Sequence, residues 1–279
     1  MQNFGIIIIG DEILSGKRAD KHLPKVIELL NARGLQLSFA DYVGDDPARI
    51  TATLSRTFAG ARASGDVVFS CGGIGATPDD HTRQCAAAAL GVALALHPEA
   101  KALITERMKD TAKEQGVPFD ADRQDNIHRL NMGVFPVGAQ IIANPYNKIP
   151  GFSCFVERLN GSEPGGIHFV PGFPVMAWPM MEAVLDTQYA HLHQKSVGCE
   201  KSVIVFGSME ATLTPLMLEI EASHREVKVF SLPSVDHPVY GRHIELGVKG
   251  SLGAVEAAYP ALLAGIRQFD FKLGPELVR

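Results

Sequence analysis

Near its start the chain reads Phe4-Gly5-Ile6-Ile7-Ile8-Ile9 and then breaks at Gly10-Asp11-Glu12. Four consecutive isoleucines leave no polar face, so as a strand the segment is buried on both sides, as central strands of parallel sheets are. The run is too short to cross a bilayer, which takes about 20 apolar residues. It also lacks the basic leader and cleavage site of an export signal. A second segment of the same kind, Asp66-Val67-Val68-Phe69-Ser70, follows later. Parallel strands need crossover connections, and the sequence between the two supplies them. Residues 20–33 carry Leu23, Val26, Ile27 and Leu30 on one helical face and close at Gly34. Residues 35–43 read as a strand, and 47–63 as a helix with Asp46 as N-cap and Pro47 in the first turn. The alternation predicts a doubly wound α/β fold.

The second apolar segment runs into Cys71-Gly72-Gly73-Ile74-Gly75-Ala76-Thr77-Pro78-Asp79-Asp80-His81-Thr82, and an Ala-rich helix follows over 82–90. Glycines between strand and helix let backbone N–H groups approach an anion, and a helix N-terminus adds a favourable dipole. Two adjacent carboxylates make poor phosphate ligands. They suit a divalent cation that neutralises phosphate, or a hydroxyl to be held or activated. The plainer reading is a tight turn with Asp80 capping the helix. The loop is neither a Walker A motif, since no Gly-Lys-Ser/Thr follows, nor Gly-x-Gly-x-x-Gly.

In open α/β sheets ligands bind outside the carboxyl ends of the strands, so other strand-end loops belong near this one. Gly10-Asp11-Glu12-Ile13-Leu14-Ser15-Gly16-Lys17 is one; its acids either face a ligand or metal, or make a solvated turn. Asp45, beside the capping Asp46, is divided between a site role and a surface role. Asn144-Pro145-Tyr146-Asn147-Lys148-Ile149-Pro150 offers Asn144, Asn147 and Lys148 as a phosphate or ribose clamp, or is a plain turn. Strands over 153–157 and 166–170 read as a hairpin leading to Pro171-Gly172-Phe173-Pro174 and a helix over 175–184.

A net charge of −5 without a basic run argues against nucleic acid as partner. Cys71, Cys85, Cys154 and Cys199 are widely spaced, with no Cys-x-x-Cys pair, which points to reduced thiols and a cytoplasmic location. His191 and His193 lack a third ligand and read as a solvated linker. From there the pattern changes to strand 202–206, helix 209–222, strands 226–232 and 240–248, and helix 252–269, a small α+β unit. The expected domains are 1–188 and 196–279.

As a set, the Gly10–Gly16, Val43–Asp46, Gly72–Thr82, Asn144-Pro145, Pro150–Phe152 and Pro171–Pro174 stretches resemble the MoaB/Mog molybdopterin-binding fold, most closely the N-terminal portion of the CinA family. The later unit, with Phe206-Gly207-Ser208-Met209-Glu210, looks like the small KH-like domain that follows there. The resemblance implies a three-layer, doubly wound, mainly parallel α/β sheet followed by a small α+β KH-like domain. It further implies binding of pterin phosphates or nucleotide diphosphates, with residues matching Asp45 and Asp80 taking part in adenylyl-transfer chemistry in pterin-handling relatives. In CinA-like proteins the domain is associated with metal-dependent cleavage of the ADP-ribose pyrophosphate. The family's amide-hydrolase domain has no counterpart in this sequence, so deamidation is not carried over. Val175 stands where the family usually has Glu, and Asn147-Lys148-Ile149 where it usually has Gly-Thr-Ala.

The expected site therefore has Asp45 and Asp80 as catalytic residues and Asp79 with Asp80 on a Mg²⁺ or Co²⁺ ion. Gly10, Asp11, Glu12, Ser15, Gly72, Gly73, Gly75, Thr77, Asn144, Lys148, Pro171 and Gly172 would contact a small phosphorylated ligand, ADP-ribose or molybdopterin among the candidates. The alternatives are a non-catalytic binder and an oligomeric scaffold; a homo-oligomer without membrane or nucleic-acid partner is expected in each case.

Overall fold

The computed structural model describes residues 2–194 and 198–279, in two compact units, Met1–His193 and Gln194–Arg279. The expected start of the second domain, residue 196, lies outside the described residues.

In the first unit β1 (Phe4–Ile9) is followed by a short helix α1 (Asp11–Leu14), α2 (His22–Asn31), β2 (Leu37–Val43), α3 (Pro47–Ser64), β3 (Val67–Cys71) and α4 (Thr82–Leu90). Then come β4 (Leu94–Leu96), α5 (Pro98–Glu114), α6 (Gln124–Leu130), β5 (Val134–Pro136), β6 (Gln140–Ile142), β7 (Gly151–Val156), β8 (Gly165–Val170) and α7 (Pro174–Gln188). The main sheet has the order β2-β1-β3-β8-β7-β6. β1 pairs parallel with β2 and β3, and β3 with β8; β8, β7 and β6 are joined antiparallel. β4 and β5 form a separate two-stranded ribbon.

The isoleucine run does what its composition requires. Ile7 and Ile9 pack on the side covered by Ile50, Leu54 and Phe58 of α3, while Ile6 and Ile8 pack on the side of Val26, Leu30, Met180 and Met181. Each fully buried aliphatic side chain contributes about 1.5–3 kcal/mol, so β1 anchors both layers at once. From β1 the chain passes outward to β2, then crosses over to β3 on the other side of β1. That reversal opens a crevice at the carboxyl ends of β1 and β3, where Gly10–Asp20 and Gly72–His81 emerge.

The second unit runs β9 (Cys199–Phe206), α8 (Glu210–Ser223), β10 (Val227–His237), β11 (Gly241–Gly250), α9 (Leu252–Ile266) and β12 (Lys272–Val278), with an antiparallel sheet in the order β10-β11-β9-β12. The last strand, absent from the expected pattern, completes a β-α-β-β-α-β split arrangement. Val203, Val205, Leu246 and Val248 pack beneath Leu213, Leu216, Val255 and Leu262.

Candidate functional site at the strand ends

The loops after β1 and β2 are stitched together by two acids. The Asp11 amide donates to Asp45 Oδ2 at 2.8 Å, and the Asp45 amide donates to Asp11 Oδ1 at 3.2 Å. Gly10 adds a bond from its amide to the Val43 carbonyl at 3.0 Å. Asp46 is the α3 N-cap, accepting from the Arg49 amide at 2.8 Å, so the neighbouring Asp45 remains for the site. Partial burial, and then the charges of Asp11, Glu12 and Asp79, hold the Asp45 carboxyl above its ordinary value of 3.8; the Asp11 amide pulls the other way. β1 runs parallel to both β2 and β3, so the loops after β2 and β3 leave the same end of the sheet.

The glycine loop is built by close approach. A Cβ on Gly72, at φ +106°, would lie 2.3 Å from the Ile9 carbonyl oxygen, and one on Gly73 would lie 2.1 Å from Thr82 Oγ1. Any side chain there would push the loop off β1 and α4. The Gly72 amide is engaged by the Val170 carbonyl at 3.0 Å, so Gly72 is required for space and offers no donor, contrary to the expectation of three amide donors. The amides of Gly73 and Gly75 make no backbone hydrogen bond among the described residues and are free for an anion.

Within the loop, the amide and hydroxyl of Thr77 both donate to Asp80 Oδ2, at 2.8 and 2.5 Å. Asp80 thus closes its own turn. The N-cap position of α4 falls on His81, which makes no side-chain cap bond. Asp79 is exposed. Among the described residues no group of three or more His, Cys, Asp or Glu is arranged to hold a metal ion. None of Asp11, Glu12, Asp45 and Asp79 forms an ion pair with a basic side chain there either.

Gly172 comes close to the glycine loop: a Cβ on it would lie 3.5 Å from Gly72 Cα. Its carbonyl is held by Nε2 of buried His22 at 3.0 Å. Pro171 precedes it and is partly buried; Ser15 and Glu12 lie on the loop after β1, Ser15 exposed and Glu12 partly buried.

Two expected ligand contacts are differently employed. Asn144 is buried and builds its own loop: Nδ2 donates to Asn147 Oδ1 at 2.8 Å and to the Ile149 carbonyl at 2.9 Å, while Oδ1 accepts from the Tyr146 amide at 3.0 Å. Lys148 reaches to α5, where its ammonium pairs with Glu106 at 2.5 Å and Asp110 at 2.7 Å. Two carboxylates already neutralise it, which leaves little charge for a phosphate.

Sequence reasoning passed over His22 and Arg83. Arg83, in the first turn of α4, is 5% exposed, and its Nη1 donates to the carbonyls of Ile74 and Gly75. The available signal was an Arg in an otherwise small and apolar helical stretch, where a solvated face would not put it. A cavity of about 360 Å³ lies beside the loop, lined by Thr77, Asp80, His81, Arg83, Gln84 and Asn131 among others.

Residues 5–191 match the family model described as "Probable molybdopterin binding domain". The chain belongs to this family. Within it, the chain is 29% identical over 214 residues to a CinA-like protein of Syntrophotalea carbinolica, covering 75% of this chain and 46% of that protein. The chain thus spans about half the length, or less, of the CinA-like relatives it matches. A protein of Pyrobaculum calidifontis is 29% identical over 275 residues, covering 94% of this chain and 95% of that one. Among solved structures, CinA from Thermoplasma acidophilum is 25% identical with a TM-score of 0.52, over 66% of this chain and 96% of that chain. As a molybdopterin-binding-type domain the first unit has the mainly parallel sheet expected of it. Among the described residues no helix is long and apolar enough to cross a membrane.

Proposed function

We propose that the strand-end hollow binds the phosphates of a pterin or nucleotide ligand and, with a divalent cation, hydrolyses a pyrophosphate of the ADP-ribose type. The observation that carries this reading is an acidic hollow beside free amides. Asp11 and Asp45 are bound to each other's amides, and Glu12 and Asp79 lie on the neighbouring strand-end loops. None of the four has a basic ion-pair partner among the described residues, and Gly73 and Gly75 keep unengaged N–H groups on the loop after β3. Such a hollow repels a bare phosphate and favours one that arrives with a cation. Mg²⁺ is commonly held by one or two carboxylates plus substrate phosphates, so the lack of a three-residue cage fits this mode.

Asp79 and the free Oδ1 of Asp80 would hold the Mg²⁺ or Co²⁺ ion, whose chemistry when bound is to neutralise the phosphates and polarise the P–O bond. Asp45, held above the ordinary carboxylate range, is suited to accept a proton from attacking water. The Gly73 and Gly75 amides would stabilise charge developing on the phosphoryl oxygens. Thr77 fixes the orientation of Asp80 through its two bonds. Gly172, held by His22, closes the wall next to Gly72.

A second reading, ligand binding without turnover, draws support from exposed Val175 and from Lys148, whose ammonium is engaged on α5. Incubation with ADP-ribose and Mg²⁺ or Co²⁺ separates the two. Release of AMP that is lost in Asp80→Ala supports hydrolysis. Tight binding by calorimetry without AMP release supports the binder, and neither result would end both readings.

A further inference from the structure

The ribbon of β4 and β5 leaves one hydrogen-bonding edge open. β4 pairs with β5 and with no other strand among the described residues. The Val137 amide donates to the Ala93 carbonyl at 2.9 Å, and the His97 amide to the Gly133 carbonyl at 2.9 Å. Ala95 stands opposite Phe135 between them, and the two bonds fix the phase of the ladder. Bonded and non-bonded positions alternate along an antiparallel pair, so Ala93, Ala95 and His97 turn their polar backbone groups toward β5. Leu94 and Leu96 turn theirs outward. Every residue from Gly91 to Leu96 is exposed, so no described helix or loop covers that edge.

Open edges are ordinarily blunted by charge, proline or a bulge. β2 carries Asp41 and β12 carries Pro275. β10 carries Lys228 and Pro233, and Glu221 Oε1 accepts from its Val229 amide at 3.0 Å. β4 has none of these devices. From Cys85 to Pro98 the chain contains no Asp, Glu, Lys or Arg. Val92, Leu94 and Leu96 are 39%, 37% and 37% exposed. The free backbone groups call for a strand, and the side chains call for an uncharged, apolar one.

The segment itself meets both demands. Val92-Ala93-Leu94-Ala95-Leu96 alternates branched aliphatic and alanine in either direction from Leu94. An antiparallel second copy therefore sets Leu94 against Leu94, Ala93 against Ala95 and Val92 against Leu96. Because Leu94 faces outward, the two copies exchange both of its backbone bonds at the centre. The pairs on each face are apolar, and no like charges meet.

We propose that β4 pairs antiparallel with β4 of a second copy of this chain about a twofold axis at Leu94, joining two ribbons into one four-stranded sheet. Pairing of two such short strands buries less than the roughly 800 Å² per partner of a standard interface, so the dimer is weak, with a dissociation constant on the order of 10 µM. The interface rests on neither reading of the strand-end hollow.

Sedimentation velocity from about 1 to about 200 µM, a range that spans this constant, tests it. The expected result is a monomer–dimer equilibrium in the wild type. Leu94→Lys opposes two ammonium groups on the axis and weakens it about tenfold or more. The register is read by crosslinking. Cα atoms of a bonded pair lie about 5.5 Å apart, within disulfide reach. With a thiol oxidant, Leu94→Cys should form a covalent dimer above the wild-type background, whereas Leu96→Cys, which faces Val92, should not. If Leu94→Lys disturbs the ribbon itself, the cysteine variants decide. A chain that stays monomeric at the highest concentration overturns the proposal and leaves the edge to a strand of another protein. An assembly that Leu94→Lys leaves intact, or crosslinking no better at Leu94→Cys than at Leu96→Cys, overturns it as well.

Discussion

Asp11 and Asp45 each accept a hydrogen bond from the other's backbone amide, at 3.2 and 2.8 Å. Two carboxylates that repel each other are thereby fixed side by side across the ends of β1 and β2. The backbone amides make the arrangement tolerable, and the cost appears in the Asp45 carboxyl, raised above 3.8. Strain of this kind at a strand-end crevice favours function over stability.

Asp45→Asn should separate the two. Asparagine keeps an acceptor for the Asp11 amide and removes one charge from the hollow. Thermal denaturation should show stability unchanged or raised by up to about 1 kcal/mol, while any hydrolysis falls about 100-fold or more. In the wild type, kcat/KM should decline with falling pH on a limb lying above the ordinary carboxylate value of 3.8.

A buried chain joins Ser153 Oγ, His168 Nδ1 and Nε2, and the Tyr189 hydroxyl, each contact being 2.8 Å. The sequence of groups resembles a catalytic relay, yet all three residues are sealed in the core. Burial holds His168 down to about 3, so it is neutral in the fold. A histidine with a depressed folded pKa contributes full stability above its unfolded value, near 6.5, and loses it as pH falls toward 3. Denaturant unfolding should show a loss of about 1.4 kcal/mol per pH unit from this group below about pH 6.5. His168→Gln should flatten that slope, whatever its stability at neutral pH.

Gly72 and Gly91 both have positive φ, +106° and +70°, but differ in surroundings. A Cβ on Gly91 meets nothing within 4 Å, whereas one on Gly72 meets the Ile9 carbonyl oxygen at 2.3 Å. Chemical denaturation should place Gly91→Ala about 1 kcal/mol below wild type and Gly72→Ala about 3 kcal/mol or more below. Equal costs would mean that the loop does not press on β1.

Lys148 is a non-glycine residue at φ +65° whose exposed ammonium pairs with two acids on α5. Lys148→Gly relieves the left-handed backbone while losing the pairs, so its melting temperature should stay within about 2 °C of wild type. Lys148→Ala loses the pairs without that relief and should melt below Lys148→Gly. If Lys148 binds phosphate instead, both variants weaken the ligand equally.

Much of the first unit was legible because its signals are local. β1 spans Phe4–Ile9 and α4 spans Thr82–Leu90 as their composition dictates, and Asp46 caps α3 as the Asp-Pro step implies. Other features depend on partners far along the chain. Lys148 looked free because Glu106 and Asp110 precede it by 42 and 38 residues. His22 and Arg83 act on backbone carbonyls, which leave no mark in a sequence. β12, Lys-Leu-Gly-Pro-Glu-Leu-Val, contains Gly and Pro and lacks clean alternation; its pairing with β9 makes it a strand.

The central claim is that acids and free amides at the ends of β1, β2 and β3 enclose a phosphate site. A crystal structure of the protein with ADP-ribose and Mg²⁺ tests it most directly. The account predicts a pyrophosphate within hydrogen-bonding distance of the Gly73 or Gly75 amide, with the ion between it and Asp79 or Asp80. A ligand bound elsewhere, with the hollow between Asp45 and Gly73 empty, would contradict it.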